Sequence, residues 1–137
     1  MLNLDQSIAE AEKSFQDILT YVQADAQKQA LHEVERNIFS SLLRVGLNLL
    51  VVFLAKKGTG RIGKEIPAKD GVKLSYKRDR KISYFSIFGK LDISRAYYYS
   101  FGQEGLFLLD QALRLPGRIY SYLLQELDGA IFCKRHL

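Results

Sequence analysis

Between Arg80 and Tyr99 the chain reads RKISYFSIFGKLDISRAYYY, and here alone its hydrophobic period is two. From Leu91 onward Leu91, Ile93, Arg95, Tyr97 and Tyr99 fall on one face, while Asp92, Ser94, Ala96 and Tyr98 fall on the other. Upstream, Ile82, Tyr84, Ser86 and Phe88 alternate in the same way, and Gly89-Lys90 separates the two runs. β-Branched and aromatic residues meeting at a glycine predict two paired antiparallel strands. Everything else must pack around that ribbon, because the flanking segments have helical spacing.

On the N-terminal side Leu4, Ile8, Ala11, Phe15, Ile18 and Val22 follow a 4, 3, 4, 3, 4 spacing, the seam of a helix that finds a partner helix. The pattern thins through Asp25-Ala26-Gln27-Lys28 and resumes at Leu31, Val34, Ile38, Leu42, Val45, Leu49 and Val52. No Pro or Gly interrupts residues 2–45. One long helix bent near 25–30 satisfies this spacing, and so does a helical hairpin. The second half is apolar on most sides and is expected to be buried. Lys56-Lys57-Gly58 ends it, with cations at the C-terminus and glycine where a left-handed cap belongs. The longest apolar run, Leu42 to Ala55, is interrupted by Arg44, Gly46 and Asn48 and is shorter than the ~20 residues of a membrane span. The acidic, amphipathic N-terminus does not resemble a signal peptide, so a cytoplasmic protein with no membrane partner is expected.

A chain of 137 residues suits one domain, and its single cysteine, Cys133, excludes an internal disulfide framework or a Cys-based zinc site. The net charge of +5 is unevenly distributed. Residues 1–57 carry six Lys/Arg against seven Asp/Glu, residues 58–100 carry ten against four, and residues 101–137 carry four against four. The surplus therefore sits on the loop and ribbon, as a footprint for a polyanion would. Strands with a wet face also collect Lys and Arg as protection of an exposed edge.

The loop GTGRIGKEIPAKDG contains two phosphate-binding patterns: Gly58-Thr59-Gly60-Arg61-Ile62-Gly63 fits G-x-G-x-x-G, and Gly58 to Lys64 fits the start of a Walker loop. Both require a strand before and a helix after. Here a helix precedes, Pro67 and Asp70-Gly71 oppose a following helix, and Glu65 replaces the magnesium-binding Ser/Thr. A flexible basic linker is the expectation, with Val72–Tyr76 as a short strand and Lys77-Arg78-Asp79-Arg80 as a charged turn. After the ribbon, Ser100 to Gly105 reads as a turn. Asp110 reads as the N-cap of a short helix over Gln111–Arg114, and a last helix runs from about Arg118 to Leu127, stopped by Asp128-Gly129.

No catalytic set assembles. His32 and His136 lack partners at metal or base–nucleophile spacing, Cys133 lies in the tail, and Asp110 and Asp128 are accounted for as cap and turn residues beside Asp92 and Glu126. The ribbon does carry binding chemistry. Lys77, Arg78, Arg80, Lys81, Lys90 and Arg95 are interleaved with Tyr76, Tyr84, Tyr97, Tyr98 and Tyr99, the combination that grips phosphates and stacks on bases.

These residues also resemble the N-terminal region of ISKra-type insertion-sequence transposases. The resemblance covers roughly residues 33–125: Glu35-Arg36, then Leu42, Leu43, Gly46, Leu49 and Leu50, then Gly58 and Gly60. It is strongest over Phe88-Gly89-Lys90-Leu91-Asp92-Ile93-Ser94-Arg95-Ala96-Tyr97-Tyr98, similar to the family's F/L-G-x-V-x-V-x-R-x-Y-Y, and closes through Gly105, Leu109-Asp110, Leu113 to Pro116 and Tyr120-Ser121. In that family this region precedes an RNase-H-like domain with an acidic triad, so the resemblance implies a non-catalytic part of a DDE-type DNA transposase that recognises or assembles on transposon ends. No position here inherits the triad. Where many relatives have Cys-x-x-Cys after the tyrosines, this chain has Ser100-Phe101-Gly102-Gln103, and no metal or cofactor is expected. The tail after Glu126 departs from the family's continuation, as a truncated or frameshifted reading frame or an expressed fragment would.

The expected fold is α+β: a long N-terminal helical segment over 1–57, a basic glycine-containing loop and short strand over 58–79, and a ribbon with C-terminal helices over 80–137 that packs with 31–57 as one domain. The candidate DNA-binding residues are Arg61, Lys64, Lys77, Arg78, Arg80, Lys81, Lys90, Arg95 and Tyr98. The expected partners are DNA at transposon ends and further copies of the chain through the N-terminal helix, with no small-molecule substrate. A helical oligomerisation module with no DNA role is the alternative.

Overall fold

The computed structural model describes residues 3–68, 71–117 and 119–127. The chain is α+β: a long bent helical segment, a three-stranded antiparallel sheet, then short C-terminal helices. It divides into two compact units, residues 1–56 and 57–137.

In the first unit α1 (Leu4–Gln23) starts with reciprocal caps. The Gln6 N–H donates to Asn3 Oδ1 (2.8 Å) and the Asn3 N–H to Gln6 Oε1 (3.2 Å), which satisfies two of the orphan donors of the first turn. The segment bends at a 3-10 turn, Asp25–Lys28, before α2 (Leu31–Lys57). No proline or glycine is needed to break it, because polar side chains supply the missing hydrogen bonds. Gln27 Nε2 donates to the Val22 carbonyl (2.8 Å), and Glu33 accepts from the Ala30 N–H (3.3 Å). The bend doubles the chain back. Tyr21 donates to Gln29, Asn37 Nδ2 donates to the Tyr21 hydroxyl (2.8 Å), and a cavity of about 260 Å³ is lined by Ser14, Asp17 and Ile18 of α1 and Ser40, Ser41 and Arg44 of α2. The N-terminal segment is thus long and bent near residues 25–28, as the spacing predicts.

The line buried on α1 is Ser7, Ala11 and Ile18, so the expected seam is turned about the helix axis: Ile8 and Phe15 lie beside the contact, and Phe15 is 53% exposed. Only Gly46 and Leu54 of α2 are buried, against the expectation that its apolar half is covered. By length and composition α2 could cross a membrane, and 11% of its most apolar window is buried. The shortness of the unbroken apolar run therefore understates the helix that contains it.

In the second unit the strand order is β1 (Glu65–Pro67), β2 (Lys73–Ser86) and β3 (Gly89–Tyr99). The ribbon predicted from period two is β2 and β3, in register from Ser75↔Tyr99 to Ser86↔Gly89. Its turn is Ile87-Phe88, two residues earlier than the glycine suggested. Ser86 closes it, donating to the Gly89 carbonyl (2.7 Å) and accepting from the Phe88 N–H (3.1 Å).

The expected turn at Lys77–Arg80 does not form. β2 runs straight through it, taking up one extra residue as a bulge between Tyr76 and Arg78. The segment has no turn-forming glycine or asparagine, and β3 offers every residue after the bulge a partner. The expected linker is likewise ordered against the sheet. The Ala96 N–H donates to the Thr59 carbonyl (2.9 Å), the Tyr76 N–H to the Lys64 carbonyl (2.8 Å), and residues 65–67 form the edge strand, where Pro67 needs no ladder donor. Ile66, Leu74, Ala96 and Tyr98 form the core beneath, flanked by Ala68, Tyr76, Leu106 and Leu108.

The short third helix, α3, spans Leu108–Leu113 with Phe107 at its N-cap, so Asp110 sits inside the helix and not at its cap. The last helix, α4, covers 122–127. It starts four residues later than expected because Ile119 and Ser121 bond across Phe85 of β2 (2.8 and 2.9 Å). Ser121 Oγ then caps it by accepting from the Leu124 N–H (3.0 Å). The Asp128-Gly129 stop, Cys133, His136, Asp70 and Arg118 lie outside the described residues.

Candidate nucleic-acid interface

The strand pairing decides which cations share a surface. Residues opposite one another lie on the same face, so Arg78 faces out beside Tyr97 and Arg80 beside Arg95, while Asp79 and Lys81 share the other face with Ala96 and Ser94. Over Lys77–Lys81 all five residues are exposed, because beyond β1 this part of the ribbon is only two strands wide among the described residues. Its outer backbone edge is open too. Tyr76 bonds outward to Lys64, and Phe85 to Ile119 and Ser121. Between them the outward groups of Asp79, Lys81 and Ser83 have no backbone partner among the described residues.

Arginine and tyrosine are layered around this stretch. The Arg61 guanidinium lies 3.9 Å from the Tyr76 ring centre, and that of Arg80 lies 5.2 Å from the Tyr97 ring centre. Both rings hold their cations over a π face and leave the other donors free. The Tyr76 hydroxyl donates to Asp79 (2.9 Å), and that hydrogen bond to a carboxylate raises the phenol's pKa above its ordinary value. Among the described residues the one ion pair is Arg95–Asp110, so no carboxylate lies within ion-pair distance of Lys77, Arg78, Arg80 or Lys81.

Two of the nine candidate residues are occupied elsewhere. Tyr98 is fully buried, and its hydroxyl accepts from the Ile62 N–H (3.1 Å) and donates to the Gly63 carbonyl (2.8 Å). It pins the glycine loop to the sheet and offers no surface to DNA. Arg95 is 9% exposed, stacked 3.7 Å from the Phe107 ring centre and paired with Asp110 at 2.6 Å. The pair leaves Arg95 Nε and Asp110 Oδ1 without partners. Asp110 offsets the like charges of Arg80 and Arg95, which stand opposite each other across the ladder. The alternation on β3 is as expected, but the buried face changes at Arg95/Ala96: Leu91, Ile93 and Arg95 are covered on one side, Ala96 and Tyr98 on the other.

The remaining seven are exposed. Lys77, Arg78, Arg80 and Lys81 lie within five residues, divided by Asp79. Arg61 and Lys64 join them at the Tyr76 end through the Arg61–Tyr76 stack and the Lys64–Tyr76 hydrogen bond. Lys90 stands opposite Phe85, about 13 Å along the strand from Lys81, and is not part of the cluster.

The phosphate-loop glycines have structural reasons. Gly58 (φ 77°) follows the end of α2, and Gly60 (φ 84°) has a left-handed backbone where a Cβ would lie 2.9 Å from the Leu109 nitrogen. No three His, Cys, Asp or Glu side chains converge as a metal site among the described residues. Comparison with protein-family models, curated proteins and solved structures finds no match.

Proposed function

We propose that this chain is the non-catalytic N-terminal portion of a DNA transposase and that it holds DNA through the bulged, exposed stretch Lys77–Lys81 with Arg61 and Lys64 beside it. The observation that carries the reading is the concentration of four cations within five residues of a two-stranded ribbon, interrupted only by Asp79, exposed and with no ion-pair partner among the described residues. Such a ribbon presents cations on both faces, so it can lie against a phosphate backbone with either side. The resemblance over residues 33–125 supplies the biological setting, transposon ends; the geometry by itself supports contact with a nucleic-acid backbone. Nothing in the cluster reads base edges, so its contribution is positioning and affinity more than sequence choice.

The test is fluorescence anisotropy of the full chain with a labelled duplex across 50–200 mM salt. Five or six phosphate contacts predict a slope of about −5 in log K against log salt, a loss of roughly 10³ in affinity over that range. Replacing Lys77, Arg78, Arg80 and Lys81 by Gln should flatten the slope by about 3 to 4 with the circular dichroism unchanged. A slope that survives the quadruple replacement disproves the assignment.

The second reading, an oligomerisation module, is favoured by one observation: α2 leaves large apolar side chains in solvent.

A further inference from the structure

The exposed side of α2 is patterned. At about 100° per residue, Glu35, Phe39, Leu42, Leu49, Phe53 and Lys57 fall within about 80° of the helix circumference, flanking the buried Gly46. This side is opposite the one that carries Asn37, Ser41 and Arg44 toward α1. Phe39 is 64% exposed, Leu42 49%, Leu49 55% and Phe53 53%. About Gly46 the aromatic residues are matched and the charges are opposed. Phe39 and Phe53 stand seven residues to each side, Glu35 and Lys57 eleven, and the exposed Leu42 and Leu49 four and three.

We propose that this face is an interface between two copies of the chain, paired antiparallel about a two-fold axis at Gly46. A face whose aromatic residues are matched and whose charges are opposite about its centre fits its own copy in that orientation, because an isologous contact sets residue i against j and j against i. Antiparallel pairing places Phe39 against Phe53 of the other copy and Glu35 against Lys57, each twice. Parallel pairing would set Glu35 against Glu35 and Lys57 against Lys57, where like charges repel. The exposed portions of the two Phe and two Leu give roughly 400 Å² of apolar surface per copy. With its rim this makes an interface near 1,000 Å² in total, at the lower end of specific contacts, so the dimer is expected in the micromolar range. The inference places assembly on α2, not on the α1 spacing that first suggested it, and it is independent of DNA binding.

Sedimentation velocity of the full chain from about 1 to 200 µM tests it. The expected result is a monomer–dimer equilibrium that Phe39→Ser abolishes. Glu35→Lys and Lys57→Glu should each weaken it about tenfold, and the double swap should restore it. The swap is the decisive arm, because it restores attraction only in the antiparallel arrangement. In a Cys133→Ser background, Phe39→Cys mixed with Phe53→Cys should oxidise to a mixed dimer, while neither alone cross-links. A monomer throughout the range, a double swap that stays dissociated, or self-linking of Phe53→Cys overturns the proposal. So does a chain that is monomeric in solution but floats with phosphatidylcholine vesicles, which would assign the apolar face to a bilayer.

Discussion

Tyr98→Phe separates the structural from the DNA-binding account of the tyrosine run. The substitution keeps the ring, with its edge-on contact to Tyr76 (centroids 5.9 Å, 66°) and its place in the core, and deletes only the hydroxyl. That hydroxyl bridges the Ile62 N–H and the Gly63 carbonyl, two hydrogen bonds at 3.1 and 2.8 Å made by a side chain with no exposed surface. Each is worth about 1 kcal/mol net, and any stranded loop group that water does not reach adds to the loss, so the expected destabilisation is about 2 kcal/mol. With a denaturant slope of about 1–2 kcal/mol/M for a unit of this size, the urea midpoint should fall by about 1–2 M. Near-ultraviolet circular dichroism reads the transition, since tyrosine is abundant and tryptophan absent. DNA affinity measured well below the midpoint should be unchanged. A midpoint within about 0.2 M of the parent, or a loss of affinity at unchanged stability, would refute the structural role and return Tyr98 to the binding surface.

Asp110→Asn should cost about 2 kcal/mol by urea unfolding, less than the 3–5 of a fully buried pair because Asp110 is a third exposed; Arg95→Met in the same background should recover part of it. Gly60→Ala should destabilise more than Gly58→Ala. Both have positive φ and share a strain of about 1 kcal/mol, but only at Gly60 does the new methyl meet backbone, at 2.9 Å from Leu109 N. Tyr76 should ionise at higher pH than an exposed tyrosine, and Asp79→Asn should lower its pKa toward the ordinary value, as followed by ring-carbon NMR. The sign for stability follows. A phenol with a raised folded-state pKa stabilises fully below its unfolded pKa and loses that contribution as pH rises through the folded value, so Tyr76 weakens the fold only in alkali.

What the sequence discloses is what its neighbours in the chain determine. The ribbon is legible because alternation over Ile82–Phe88 and Leu91–Tyr99 is a local pattern, and the end of α2 because Lys56-Lys57-Gly58 is a local signal. The ordering of Thr59–Lys64 is not, because its partners are Ala96, Tyr76 and Tyr98, which lie 12 to 37 residues away. With those partners hidden, glycines that permit close approach to α3 look like glycines that cradle phosphate. Lys77–Arg80 reads as a turn for a related reason: four charges in a row give no periodicity, and the bulge that lets β2 continue is set by the register with β3.

The same distinction divides the candidate site. Arg80 and Arg95 are one residue type on one face, directly opposite across the ladder, and sequence treats them alike. Their fates diverge because α3 brings Asp110 and Phe107 over Arg95, while Arg80 stays exposed beside the Tyr97 ring with no ion-pair partner among the described residues. An Arg95 that keeps its ion pair contributes little to DNA directly, but it holds α3 on β3 and so fixes the ring against which Arg80 stands: Tyr97 packs on Phe107 (centroids 5.0 Å), and a Cβ at Gly105 would meet that ring at 2.3 Å. Loss of Arg95 should therefore lower DNA affinity through Arg80, with the salt slope unchanged. Loss of Arg80 should lower the slope itself by about 1. Measuring both slopes separates a residue that positions the surface from one that belongs to it.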